Sequence, residues 1–176
     1  LILDMEIAKN ARPGNIPIVF EYQREILFSV DYQLKSRTDG SRERKGFCKD
    51  DVIYLIMPDR FSNGNPGNDS ISGMREAANR SNPDGRHGGD LKGISEKLDY
   101  IADLGVTAIW LNPVLENNMP VKSYHGYAIT DFYRVDPRFG DNEDYKNLVD
   151  ACHRKDLKVI MDMVFNHCGS NHLWLK

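Results

Sequence analysis

The chain has 176 residues, 40% hydrophobic and 28% charged, a globular composition that excludes a disordered segment and leaves room for one domain or one and a half. Its 23 Lys+Arg against 26 Asp+Glu give a net charge of −3, which argues against a nucleic-acid partner because phosphates call for a basic excess. No apolar run approaches the roughly 20 residues of a membrane-spanning helix.

The chain begins with Leu1 rather than Met and has no charged-then-apolar leader. An internal piece of a longer protein is therefore expected. Cys48, Cys152 and Cys168 are odd in number and lack CxxC spacing, so buried or semi-buried free thiols are expected rather than a disulfide or metal framework.

In chain order, Ile16–Tyr22 is a short strand candidate entered through Pro13-Gly14. Residues 25–35 then alternate, with Ile26, Phe28, Val30, Tyr32 and Leu34 on one side and Leu27, Ser29, Asp31, Gln33 and Lys35 on the other. A period of two predicts a strand with one buried and one wet face. Ser36–Lys49 turns polar, with Arg37, Arg42, Arg44 and Lys45 near Asp39-Gly40 and Gly46, and is expected to be a linker.

The pattern changes after Asp51. Val52–Met57, Val106–Leu111 and Leu157–Val164 are continuous apolar runs, as expected of parallel strands buried on both faces. Between them, Ile94, Leu98, Ile101 and Ala102 form one helical stripe that ends at Gly105. Tyr145, Leu148, Val149 and Cys152 form another, with Asp141 as N-cap and Arg154-Lys155 at its C-terminal end. Strand, helix, strand, helix, strand predicts a parallel sheet.

Strand starts at 52, 106 and 157 are 54 and 51 residues apart, far more than a minimal βα unit. The surplus, roughly 58–92 and 112–140, follows each strand and precedes its helix. Long insertions at strand C-termini are how a (β/α)8 barrel builds its active face. A doubly wound sheet would favour a short glycine-rich turn, and no GxGxxG follows Met57.

Four stretches carry a family resemblance: Asp51–Phe61 (DVIYLIMPDRF), Gly105–Pro113 (GVTAIWLNP), Tyr124–Gly140 (YHGYAITDFYRVDPRFG) and Asp162–His167 (DMVFNH). In this order they resemble the first half of the catalytic barrel of the α-amylase superfamily of glycoside hydrolases, nearest its bacterial neopullulanase/cyclomaltodextrinase branch. The resemblance implies a fold made of the first three βα units of a (β/α)8 TIM barrel over residues 51–176. It also implies the C-terminal part of an N-terminal β-sandwich domain over residues 1–46.

By resemblance, Tyr127 is the aromatic platform under the sugar ring at the cleavage site, as suits a flat apolar face packing on axial C–H groups. His167 hydrogen-bonds the same sugar's hydroxyls, and Asp162 and Asn166 are structural members of that motif. His125 and Tyr124 are further substrate-binding candidates, whereas Tyr133 is expected only to pack. A zinc site from His167, Cys168 and His172 has spacings of one and five residues, which fit no structural zinc pattern.

Asn63-Gly64-Asn65-Pro66-Gly67-Asn68-Asp69 and Gly88-Gly89-Asp90 offer hard oxygen donors suited to Ca²⁺. The loop is not an EF-hand, since its twelfth position is Met74. It resembles the calcium loop of neopullulanase-type enzymes, which implies ligands from Asn63, Asn65, Asn68, Asp69, Gly88 and Asp90. Many family members carry Asp where Asn65 stands, so the local charge here is lower.

The implied reaction is retaining hydrolysis of α-1,4 and sometimes α-1,6 glucosidic bonds in starch-derived oligosaccharides or cyclodextrins. The family's nucleophile, general acid and stabilising Asp follow barrel strands four, five and seven, beyond Lys176. Asp59, Asp90 and Asp131 are not expected to replace them. A non-catalytic carbohydrate-binding protein and an amylase-like scaffold are the alternatives. The resemblance further implies a homodimeric parent and a periplasmic or extracellular location.

Overall fold

The structure is a computed structural model that describes residues 4–8, 10–41 and 46–175. It divides into two units, residues 1–47 and 48–176. The linker residues Arg42, Arg44 and Lys45 lie outside the described residues.

In the first unit, β1 (Gly14–Tyr22) and β2 (Glu25–Leu34) form an antiparallel hairpin. Gln23 and Arg24 turn the chain with φ of 51° and 70°, the left-handed pair that suits a two-residue hairpin. The register sets Ile16 opposite Tyr32, Ile18 opposite Val30 and Phe20 opposite Phe28, and the last two rings stack at 4.3 Å.

Two expectations change here. A register shift beyond Phe20 pairs Ile26 with Glu21, which removes Ile26 from the Phe28 face. The apolar face is also not buried: Phe28, Val30 and Tyr32 are 53%, 51% and 37% exposed. Alternation specifies which residues share a face, but only a second layer can bury that face.

The second unit is built on β3 (Ile53–Ile56), β4 (Ala108–Leu111) and β7 (Lys158–Met161), parallel and in chain order. Before β4 come α1 (Pro58–Phe61), α2 (Leu91–Glu96) and α3 (Leu98–Asp103). Before β7 come a short antiparallel pair, β5 (Leu115–Glu116) with β6 (Asp131–Val135), and the helix α4 (Asn142–His153).

The single stripe predicted over 94–102 is two short helices that meet at Lys97. Asp90 caps the first, and Gly105 ends the second at φ 77°. Asp141 caps α4 as predicted, and Asp144 closes a capping box with it.

One core joins sheet to helices: Ile56, Ile109 and Leu111 pack with Leu91, Ile94, Leu98, Ile101, Leu148, Cys152 and Leu157. Each such fully buried side chain contributes about 1.5–3 kcal/mol. The opposite sheet face carries Ile53, Leu55 and Trp110, which are 46%, 56% and 39% exposed. Helices therefore cover one face, and the expectation of strands buried on both faces is corrected. Cys48 is likewise exposed, while Cys152 is buried and Cys168 half-buried.

At the N-terminal ends of the strands, Lys158 Nζ donates to both carboxylate oxygens of Asp51 (2.8 and 2.7 Å). Thr107 Oγ1 donates to the same carboxylate at 2.7 Å. Asp51, two residues before β3, Thr107, one before β4, and Lys158, the first of β7, are thus tied below the sheet. The opposite, C-terminal ends carry the long connections.

Candidate functional site

Tyr127 sits on a turn that the sequence shapes residue by residue. Lys122 adopts φ 56°, Ser123–His125 make one 3-10 turn, and Gly126 takes φ 85°. A Cβ at Gly126 would overlap the Pro113 carbonyl oxygen, so only glycine lets this turn lie against the end of β4. Glu76 accepts from Lys122 N (3.1 Å) and Ser123 N (2.6 Å), and Asn112 Nδ2 donates to the His125 carbonyl oxygen at 3.4 Å.

The structure brings Tyr127, His125, Tyr124, Asp162 and His167 together. Tyr127 N donates to His125 Nδ1 at 2.9 Å, and the two rings stack at 5.9 Å. That bond requires Nδ1 of His125 to be unprotonated. Burial holds the His125 pKa below its ordinary value, against the opposing Glu76 charge and with a smaller push from Lys122 in the same direction. Tyr124 stacks edge-on against His125 and lies 4.0 Å beneath the Arg60 guanidinium.

Tyr127 OH donates to Asp162 Oδ2 at 2.8 Å. Partial burial raises the phenol's pKa, and the Asp162 carboxylate raises it further. His167 Nε2 donates to the Tyr127 carbonyl oxygen at 3.0 Å. The strand ends at Met161, so Asp162, Val164 and Asn166 do not share a strand face as alternation suggested; Asn166 is exposed. Tyr133, expected to pack, is 77% exposed.

Beneath the turn lies a buried charge network that the sequence reading missed. Arg138 pairs with Asp136 through Nε (2.8 Å) and Nη2 (2.7 Å). Arg86 Nη1 donates to Ser123 Oγ at 3.2 Å and lies 3.8 Å from Asp136. Arg86 Nε is 3.7 Å from Asp59, and the guanidinium covers the Phe139 ring at 4.6 Å. Burial pushes the Asp136 carboxyl up, but hydrogen bonding to Arg138 and the two arginine charges win and lower it. Burial lowers the Arg86 pKa.

The acidic residues set aside above have other partners. Asp59 accepts from Arg60, His87 N and Gly88 N. Asp131 accepts from Tyr133 N and Arg134. Asp90 receives Gly93 N and Gly64 N on Oδ1 and Asn65 N on Oδ2.

The proposed cation loop can be tested on its own atoms. Asn63 Nδ2 donates to Asp69 Oδ1 at 2.7 Å, while Asn63 Oδ1 and Asn68 Oδ1 are buried without a hydrogen-bond partner. Gly88, at φ 85°, lies so close that a Cβ there would stand 2.6 Å from the Asp69 carboxyl carbon. Asn63, Asp69 and Gly88 therefore converge, and Asn68 lies next to Asp69 in the chain. Asn65 instead caps its own turn by accepting from Gly67 N. Among the described residues no three His, Cys, Asp or Glu side chains gather in one cluster. A cation here would rest on amide, carbonyl and single-carboxylate oxygens, a set that fits Ca²⁺ and not zinc.

The chain is 45% identical over 123 residues to a cyclomaltodextrinase of Geobacillus thermopakistaniensis (strain MAS1), covering 70% of this chain and 20% of that protein. It is 42% identical over 125 residues to neopullulanase 2 of Thermoactinomyces vulgaris, again 70% against 20%. The chain thus spans about a fifth of the length of the curated relatives it matches. The crystal structure of the Geobacillus thermoleovorans α-amylase complexed with acarbose superposes with a TM-score of 0.60 at 51% identity, covering 72% of this chain and 25% of that one. Residues 55–176 match the α-amylase catalytic-domain family, and the chain belongs to that family.

Proposed function

We propose that this chain is the first part of a retaining α-glucan hydrolase acting on α-1,4 and, as in some members of the family, α-1,6 glucosidic bonds of starch-derived oligosaccharides or cyclodextrins. In this reading β3, β4 and β7 are the first three strands of a (β/α)8 barrel, and the β1–β2 hairpin is the end of a β-sandwich. Their chain-order pairing, with helices on one face and an uncovered apolar face on the other, supports the barrel over a doubly wound sheet.

The observation that carries the reading is the Tyr127–His167 pairing beside the C-terminal ends of β4 and β7. The Tyr127 ring, 40% exposed, offers its face to a sugar. His167 Nε2 is used by the Tyr127 carbonyl, so Nδ1 is the nitrogen left to accept a sugar hydroxyl. Both residues bind and orient; His125 and Tyr124 extend the same surface. The nucleophile and general acid come from later strands, so the 176 residues alone hydrolyse nothing.

Ca²⁺, held by Asn63, Asn68, Asp69 and the Gly88 carbonyl with Asn65 and Asp90 shaping the loop, supplies local cross-linking rather than chemistry. The parent assembles as a homodimer outside the cytoplasm.

Tyr127→Ala and His167→Ala in the full-length parent test this. Each removes one stacking face or one hydrogen bond, about 1–3 kcal/mol of transition-state stabilisation, so kcat/KM falls about ten- to a hundredfold with unchanged melting. Kinetics within twofold of the parent for both would contradict it.

A further inference from the structure

Asp162 Oδ2 accepts two hydrogen bonds from two aromatic side chains: Tyr127 OH at 2.8 Å and Trp110 Nε1 at 3.2 Å. Each aromatic has one polar hydrogen to give, and both spend it on the same oxygen. Trp110 reaches that oxygen from the sheet itself. The register places it level with Leu55 and Ile160, on the face opposite the helices, where alternation along β4 separates it from the buried Ile109 and Leu111.

Asp162 has no such frame of its own, because β7 stops at Met161. A side chain just past a strand end has no ladder to fix its direction. The indole is thus the part of this cluster seated on regular structure. Apart from its bond to Asp162, Tyr127 is held by its backbone, through His125 and His167, and by the His125 ring stacked beside its own; none of these fixes the phenol end.

We propose that Trp110 is a positioning residue for the sugar platform: its indole N–H fixes the Asp162 carboxylate, which fixes the far end of the Tyr127 ring. This rests on the glucan-site reading of Tyr127 and adds a residue and a direction of action to it. A ring pinned at both ends keeps its plane while the sugar above it flattens toward the transition state. A ring pinned at one end tilts, and the bound sugar then spends less time aligned for attack. Loss of the indole N–H therefore acts on kcat more than on KM. The sequence gives no hint of this role, since a tryptophan inside VTAIWL looks like any core aromatic.

The test is a double-mutant cycle in the full-length protein, with maltohexaose as substrate. Trp110→Phe keeps an aromatic ring but removes the donor. Replacing Trp110 by 3-benzothienylalanine removes only the N–H and keeps the shape, so a folding defect in the phenylalanine variant does not decide the result. Either change is expected to lower kcat about three- to tenfold with KM within about twofold. In a Tyr127→Phe background, which already lacks the phenol, the same change is expected to have no further effect on kcat. A merely structural role of Trp110 gives the same loss in both backgrounds, and that additivity would overturn the proposal, as would wild-type kcat in the benzothienyl variant. Tyr127→Ala keeps the two readings apart: unchanged hydrolysis there overturns the glucan site itself, whereas a loss there beside a silent Trp110 change overturns only this inference.

Discussion

Gly126 lies against Pro113 with no space for a side chain: at φ 85°, an added Cβ would overlap the Pro113 carbonyl oxygen. The turn that presents His125 and Tyr127 can therefore approach the end of β4 only with glycine. Gly126→Ala combines left-handed strain of about 1–3 kcal/mol with displacement of that turn. Denaturant unfolding of the full-length protein should show a loss of at least about 2 kcal/mol. An unchanged midpoint would mean that the turn does not sit on Pro113.

The buried charges beneath the turn make a second, larger demand. Asp136 is fully buried between Arg138 and Arg86. Asp136→Ala leaves two buried guanidinium groups without their shared carboxylate, which should cost about 3–5 kcal/mol. Arg134→Ala is the control: it also breaks ion pairs, with Glu116 and Asp131, but its side chain is 65% exposed, so the loss should stay below about 1 kcal/mol. Equal losses in the two variants, measured by urea unfolding, would contradict the network.

Much of the framework was legible in the sequence. Apolar runs at 52, 106 and 157 marked the parallel strands, and Asp141 marked the start of α4, because buried strands and helix caps leave local signatures. What hid were facts that depend on distant residues. Periodicity put Phe28, Val30 and Tyr32 on one face but could not show that this face stays exposed among the described residues. Arg86 carries no local signal of burial, since its partners Asp59, Ser123 and Asp136 are far along the chain. Asp162 was expected to extend a strand that stops one residue earlier. Tyr127 and His167 were singled out by motif, while the position of Trp110 needed the strand register.

The cation loop separates two aspartates that looked equivalent in sequence. Ca²⁺ should raise the melting temperature of the full-length protein by mass action, and Asp69→Ala should abolish that response. Asp90 is already engaged by three backbone N–H groups and caps α2. Asp90→Ala should therefore lower stability by about 0.5–2 kcal/mol in the absence of calcium as well. A full calcium response in Asp69→Ala would place the ion elsewhere.

His125 should give stability a pH signature. Burial holds its pKa below 6.5 in the fold, so the unfolded chain binds the proton at higher pH. Its contribution is present in full above about pH 6.5 and is lost as pH falls through the depressed value. Protonation at Nδ1 also removes the acceptor for Tyr127 N. Between pH 6.5 and 5, melting temperature should fall less steeply in His125→Gln than in the parent. Parallel curves would show that His125 titrates alike in both states.

The most direct measurement incubates the full-length protein with maltohexaose and with β-cyclodextrin, and follows both new reducing ends and the anomeric form of the product. Hydrolysis with release of the α-anomer is expected, reduced about ten- to a hundredfold in Tyr127→Ala and absent from the isolated 176 residues. Tight sugar binding without hydrolysis, or release of the β-anomer, would contradict a retaining α-glucan hydrolase.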